Sequence, residues 1–448
     1  MARRPRIPTP NPADSPVMVA AGSVWALLAG MGLLLMGNAL QYSLLGVRAS
    51  NEGFSSTATG VVMSAYFVGF LFGSIGTVRA VRRVGHLRVF AAAAALASIA
   101  ILIQSQFVTP TVWAVTRIGT GIAYAAAYIV TESWLNDRVT NEHRGGLLGV
   151  YMIVSFIGMG GGQLLLNAGD PDSSTLFILV SVLISSAAIP ILLSVLPQPA
   201  MEQPARLGPL EMFRQSPLGT TGCMTSGMLQ GALFGMGAVY ARAAGLSVAE
   251  TSVFMFTTIL GAALVQYPVG KLSDRIDRRR VITAVALFGA VAYAAAVPAG
   301  HLGGMWVIGS AIVFGIPPLT LYSLSIAYAN DHIEQSQRVA ASSVLNLVFA
   351  FGALLGPSIA GGVMDLLGPD GFPWLLAAGT LGLGLFAIVR MRMRPPLPLE
   401  EQSAYAPMPQ RTAWLTDAWE ESVAAADARQ GESATGDRRA RTTPDSSP

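Results

Sequence analysis

Residues 117–163 read RIGTGIAYAAAYIVTESWLNDRVTNEHRGGLLGVYMIVSFIGMGGGQ. Two apolar runs flank a short polar loop. The first run carries Arg117 and Glu132, two charges in otherwise apolar sequence. The stretch is also written twice. Gly121-Ile122 recurs as Gly315-Ile316, and Asn136-Asp137 as Asn330-Asp331. Arg144 recurs as Arg338, Gly158 as Gly352 and Gly162 as Gly356, every pair 194 residues apart. Such a pattern suits a membrane protein built from two like halves.

Composition points the same way. Charged residues make up 12% of the 448 residues, about half the roughly 25% of a soluble domain. Twelve apolar runs follow one another, near 19–45, 57–78, 89–106, 112–135, 146–168 and 174–196, then 218–241, 250–270, 281–299, 304–329, 339–363 and 373–391. Each approaches the roughly 20 residues that cross a bilayer as a helix. The expected fold is an all-α polytopic membrane protein, with twelve transmembrane helices in two pseudo-symmetric six-helix bundles.

The expected organisation is a cytoplasmic arm over 1–18, a first bundle over 19–196, a Pro-rich hinge over 197–217, a second bundle over 218–392 and a polar tail over 393–448. No cleavable signal peptide is expected, because the first apolar run is too long for one. Within the tail, Leu415, Trp419 and Val423 share a helical stripe that suits a membrane surface or a partner. Loop arginines gather on one side: Arg79, Arg82, Arg83, Arg88, Arg138, Arg144, Arg206, Arg214, Arg275, Arg278, Arg279, Arg280 and Arg338. The positive-inside rule then puts both termini in the cytoplasm.

The 194-residue offset also links Gly37 to Gly231, Arg48 to Arg242 and Gly76 to Gly270, and shortens to 192 between Gly85 and Asp277. The loop after Gly76 is therefore expected to be two residues longer in the first copy.

A small net charge of +3 says little about nucleic acid. One cysteine, Cys223, excludes an intramolecular disulfide and a multi-cysteine metal site. His86, His143, His301 and His332 lack ligand spacing, and His86, His143 and His332 are expected on solvated loops. No metal, cofactor or nucleophile–base–acid set is visible, and no GxxxxGK[ST] loop for ATP.

Arg117, Gly121, Tyr124, Tyr128 and Glu132 share one face, at steps of four, three, four and four. Such a stripe suits a watery cavity, where a buried acid can exchange protons. The plainer readings are an arginine snorkelling to headgroups and an acid paired with loop arginines. Candidate cavity polars are Asn38 and Gln41 beside Tyr42, with Tyr124, Tyr128, Gln230, Gln266, Tyr322 and Asn346. Helices one, four, seven and ten are expected to line the cavity. Gly158-x3-Gly162 and Gly352-x3-Gly356-Pro357 permit close helix packing.

Residues 270–280, GKLSDRIDRRR, resemble the G-x-x-x-D-R-x-G-R-R loop of the major facilitator superfamily, except that Asp277 stands where that family has glycine. Asp137-x6-Arg144 and its twin Asp331-x6-Arg338 resemble the family's loops after the fourth and tenth helices. Residues 131–166 and 321–361 look like the YcaD-like branch. The resemblance covers roughly 20–392 and implies an alternating-access transporter of the bacterial inner membrane, monomeric and bound to no nucleic acid. It implies gating roles for Gly270, Asp274, Arg275, Arg278, Asp137, Arg144, Asp331 and Arg338. It associates Arg117 with proton coupling, and Glu132 is the leading proton carrier. The expected function is proton-coupled transport of a small organic solute, with export as one direction. An ion-independent facilitator, or a sensor or scaffold acting through the tail, remains the alternative.

Overall fold

A computed structural model describes residues 25–138, 144–193, 207–334, 337–393, 398 and 402. The expected arm and nearly all of the tail, with Leu415, Trp419 and Val423, lie outside the described residues. Every described element is a helix. The long ones are α1 (Trp25–Asn51), α2 (Ser56–Val84), α3 (His86–Gln106), α4 (Pro110–Arg138), α5 (Arg144–Leu164) and α6 (Thr175–Leu193). There follow α7 (Pro217–Ala243), α8 (Val248–Ser273), α9 (Arg278–Leu302), α10 (Gly304–Asn330, broken at Gly315), α11 (Arg338–Leu367) and α12 (Gly371–Met393). Within the expected hinge, Pro209–Gln215 forms a short helix.

Ten of these are long and apolar enough to cross a membrane. The other two, α4 and α7, match them in length at 29 and 27 residues. They fall short in apolarity because they carry Arg117, Glu132 and Gln230 among small residues. The face of the bundle where α1 begins is called the near face below, and the opposite one the far face.

Local chemistry sets the helix ends. Ser55 accepts from the Ala58 N–H at the start of α2, and Ser247 forms a full capping box with Glu250 at the start of α8. These two serines are 192 residues apart.

Glycines bring backbones together within each half. A Cβ on Gly158 or Gly162 of α5 would lie 2.8 or 2.3 Å from the α1 carbonyls of Gly32 and Met36. On Gly352 or Gly356 of α11 it would lie 2.1 or 2.2 Å from the α7 carbonyls of Met224 and Met228. The close packing expected of both motifs is thus observed. A second crossing repeats likewise. Gly69 and Gly121 join α2 to α4 at the carbonyls of Ile118 and Tyr66, and Gly261 and Gly315 join α8 to α10 at Ile312 and Thr258.

These crossings correct the expected alignment of the two copies. Partners on α4, α5, α10 and α11 are 194 apart, but those on α1, α2, α7 and α8 are 192 apart. Gly37 and Gly231, Arg48 and Arg242, and Gly76 and Gly270 are therefore not structural equivalents. The two residues are not an extension after Gly76 in the first copy. They belong to the second copy, where α9 has 25 residues against 21 in α3 and the loop that follows is shorter. Loop length is under weak packing constraint, so chance glycine matches misled the alignment where the crossings do not.

The halves meet tightly toward the far face. Asp365 of α11 accepts from the Ser56 and Thr57 N–H groups at the start of α2, at 2.9 and 2.8 Å. Ser64 and Ser358 hydrogen-bond at 2.8 Å. A Cβ on Gly60 would lie 2.3 Å from the Pro357 carbonyl, and one on Gly361 would lie 2.2 Å from that of Ser56. Asn167 donates to Ser252 at 2.9 Å between α5's end and α8. Arg242 reaches Asn51 at 3.4 Å.

Candidate functional site

Between the halves lies a cavity with a largely aromatic wall. α1 supplies Asn38 and Tyr42, and α2 supplies Tyr66, Phe67 and Phe70. Across from them stand Gln230 and Phe234 of α7 and Phe349 of α11, with Met159 of α5 closing one side. The expected helices one and seven line this cavity, joined by two, five and eleven. Helices four and ten stand behind as supports. The Tyr128 hydroxyl of α4 lies 3.3 Å from Asn38 Nδ2, and the Pro318 carbonyl of α10 accepts from Gln230 Nε2 at 2.9 Å.

The other candidate polars have different surroundings. Gln41 donates to Gln104 at 3.1 Å, and Gln104 donates to Thr116, a chain that ties α1, α3 and α4 together. Gln266 donates to Ser323 at 3.2 Å inside the second half. Tyr124 packs between Tyr66 and Tyr128 with tilted rings, centroids at 6.2 and 5.8 Å. Tyr322 meets the Phe349 ring edge-on at 4.8 Å, and Asn346 is half-buried on α11.

Arg117 is 0% exposed, so it does not snorkel to the surface. Its guanidinium carbon lies 4.5 Å from the Tyr42 ring centre and 4.7 Å from that of Tyr66. Each ring face offers a desolvated cation about 2 kcal/mol, far less than a paired carboxylate supplies. Among the described residues, its Nε, Nη1 and Nη2 find no hydrogen-bond acceptor. Glu132, about 22 Å along the same helix at 1.5 Å per residue, is 1% exposed. The helix bearing both charges is thus buried at each of them, between α2 and α3 of its own half.

The near-face motifs converge in the second half. The Arg278 and Asp331 side chains are 1% and 2% exposed and pair at 2.5 Å. Asp274 reaches Arg278 at 3.4 Å, so one guanidinium bridges the two loop motifs. Arg275 is exposed, Gly270 is buried at the end of α8 and Arg338 is half-buried at the start of α11. The side chains of Asp137 and Arg144 lie outside the described residues. Asp277 accepts from the Arg279 N–H as the N-cap of α9 and clamps the Arg279 side chain at 2.7 Å. Burial works against its charge, but the bonds and charge of Arg279, helped by Arg280, hold its carboxyl below the usual range. The departure from the family's glycine thus carries a cap. The structurally equivalent Gly85 has φ +88°, where glycine is favoured.

His86 corrects an expectation. It is 2% exposed rather than solvated, with Nε2 3.2 Å from the Ser133 hydroxyl and its ring against Trp134. It occupies in the first half the place of Arg278 in the second. His332 lies 2.9 Å from the Tyr328 carbonyl, and His143 is outside the described residues.

Sequence reasoning singled out Asn38 and Gln230 but missed Tyr66, Phe67, Phe70, Phe234 and Phe349. The signal was present: Tyr66 and Phe70 are one turn apart beside the Gly69 crossing.

Two halves of crossed helices around a central cavity, with duplicated near-face loops, define a major facilitator transporter. A family model of the Major Facilitator Superfamily matches residues 18–320 and 245–426, and the chain belongs to that family. Within it the chain is similar to YcaD-type transporters. It is 30% identical over 389 residues to the uncharacterized MFS-type transporter YcaD of Escherichia coli O7:K1 (strain IAI39 / ExPEC), covering 84% of this chain and 97% of that one. It is 27% identical to the MFS-type transporter Ent638_1421 of Enterobacter sp. (strain 638), with the same coverage. Among solved structures, a mutant of the nucleoside transporter NupG superposes with a TM-score of 0.69 at 14% identity, over 82% of this chain and 99% of that one. A bacterial homologue of the human lysosomal transporter Spinster, inward-facing and occupied, gives 0.67 at 16% identity, over 86% and 99%. At such identities the likeness establishes the fold.

Proposed function

We propose that this polytopic membrane protein moves a small organic solute across a bacterial inner membrane by alternating access, coupled to protons through Glu132. The carrying observation is the burial of Glu132, 1% exposed on a membrane-length helix that is also one of the two least apolar. An ionisable carboxyl buried within a membrane-length helix is by default a candidate to carry protons as its surroundings change. In this reading the near face and both termini are cytoplasmic, which the arginine-rich near-face loops support. The sealed far face is then the outer gate, and the Asp274–Arg278–Asp331 cluster belongs to the inner one. The solute site is the cavity holding Asn38 and Gln230, and export is one direction in which this cycle can run.

Among the described residues the cavity wall contains no acid, which favours an ion-independent facilitator as the second reading. One experiment separates the two. A thermal-shift screen of the purified protein against metabolites and drugs selects a ligand. Its uptake is then followed in proteoliposomes after a pH jump. Proton coupling predicts uptake that follows the pH gradient in the wild type and loses that dependence in Glu132→Gln. Uptake indifferent to the gradient, and unchanged in Glu132→Gln, would sink the coupled reading and leave the facilitator.

A further inference from the structure

The unanswered charge of Arg117 bears on what the cavity takes. The side chain is 0% exposed, and its three nitrogens have no acceptor among the described residues. It belongs to none of the ion pairs there. Its helix offers one other described charge with a settled side chain, Glu132, and that is about 22 Å away at 1.5 Å per residue. Among the acids facing the neighbouring helices, Asp365 is engaged by the α2 backbone, and Asp172 and Glu52 are engaged by Arg48. An arginine cannot escape by losing its proton. A cation so placed calls for an anion.

The position of the anion follows from the rings. Tyr42 and Tyr66, which flank the guanidinium at 4.5 and 4.7 Å, both line the cavity. Arg117 itself stands behind this wall, so an anion in the cavity meets its N–H groups only when one of the two rings turns aside. Gln230 also lines the cavity; its amide N–H goes to the Pro318 carbonyl, which can only accept, and its buried Oε1 has no donor among the described residues. Apart from Asn38, the rest of the wall is aromatic or aliphatic.

We infer that the transported solute is an organic anion: a carboxylate or similar monoanionic group directed to Arg117, on a flat apolar body that also bears a hydrogen-bond donor for Gln230. The inference rests on the transport reading and narrows its substrate class. The anion neutralises Arg117, the rings take the body, and discrimination against neutral isosteres comes from the otherwise unpaired guanidinium.

The test uses the full-length purified protein with four matched probe pairs: indole-3-acetate, indole-3-propionate, 4-hydroxyphenylacetate and salicylate, each against its neutral amide. Binding is read by thermal shift and by calorimetry. At least one carboxylate should bind ten-fold or more tighter than its amide, and Arg117→Gln should remove that preference. Arg117→Gln should also melt higher than the wild type without ligand, because it removes an uncompensated buried charge. A merely structural arginine would give a lower melting temperature. Arg117→Lys keeps the charge and should keep part of the preference. Amides that bind as well as carboxylates in all four pairs, or Arg117→Gln that binds the carboxylates undiminished, would overturn the assignment. Counterflow in proteoliposomes separates the two levels. Carboxylate binding that depends on Arg117, without transport, sinks the transport reading alone. Transport that treats carboxylate and amide alike sinks the anion assignment alone.

Discussion

At the scale of single residues, the buried charges differ in how they are answered. Arg278 meets Asp331 at 2.5 Å with both side chains almost fully buried, whereas Arg117 meets only ring faces. Removing one partner of a buried pair strands the other, so Arg278→Ala should cost about 3–5 kcal/mol. Replacing both partners, as in Arg278→Met with Asp331→Leu, should recover most of the loss, because the pair's own net worth is small. Thermal melts of the three proteins in one detergent check this, and a double variant no more stable than Arg278→Ala would refute it. Sequence placed Arg117 on a polar stripe but could not choose between snorkelling and burial. The choice is made by Tyr42 and Tyr66, which come from other helices, and no spacing within helix four encodes that meeting.

At the scale of elements, what decides packing is where a helix has no side chain. Gly121 and Gly315 place α4 and α10 against the α2 and α8 carbonyls, with a Cβ at either position only 2.0 Å from oxygen. Helical backbones are stiff, so neither carbonyl can yield as a side-chain tip would. Gly121→Ala and Gly315→Ala should each cost at least the roughly 1–3 kcal/mol of an overpacked core. Gly76→Ala, whose added carbon meets nothing within 4 Å, should melt with the wild type. Equal melting of all three would refute the crossing argument. The helices themselves were legible in sequence because a bilayer demands long apolar runs. Their register was only half legible. Gly158, Gly162, Gly352 and Gly356 repeat because the crossings require them. Gly37 and Gly231 coincide at the same spacing with no contact in common, in a chain where 48 glycines make such matches easy.

At the scale of the whole molecule, the far-face seam marks one state of the proposed cycle. Asp365 holds it by accepting two N–H groups at the first turn of α2, where the helix dipole also favours a negative charge. Asp365→Ala removes both bonds and should shift the population toward a far-face-open state by about ten-fold, the equivalent of about 1.4 kcal/mol. Spin labels on Gln106→Cys and Met305→Cys, in a Cys223→Ser background, report the separation of the two halves there, since Gln106 and Met305 are both exposed. A distance distribution unchanged by Asp365→Ala would refute this role. The cavity was less legible than the frame around it. Asn38 and Gln230 announce themselves as polar groups in apolar runs, but its aromatic wall is spread over helices two, seven and eleven and looks in sequence like ordinary core.

The glycine seam has a consequence for the speed and reversibility of motion. Where Gly60 meets the Pro357 carbonyl and Gly361 that of Ser56, the halves touch through backbone whose hydrogen bonds are largely satisfied within each helix. Parting these glycine crossings themselves frees no long side chain, so the polar cost of opening falls on Asp365, Ser64, Asn167 and Arg242 beside them. Under the proposed alternating access, the glycine crossings act as a dry hinge plate that adds little friction in either direction. In the proposed cycle, the solute and proton gradients need then only bias which way the plate is found.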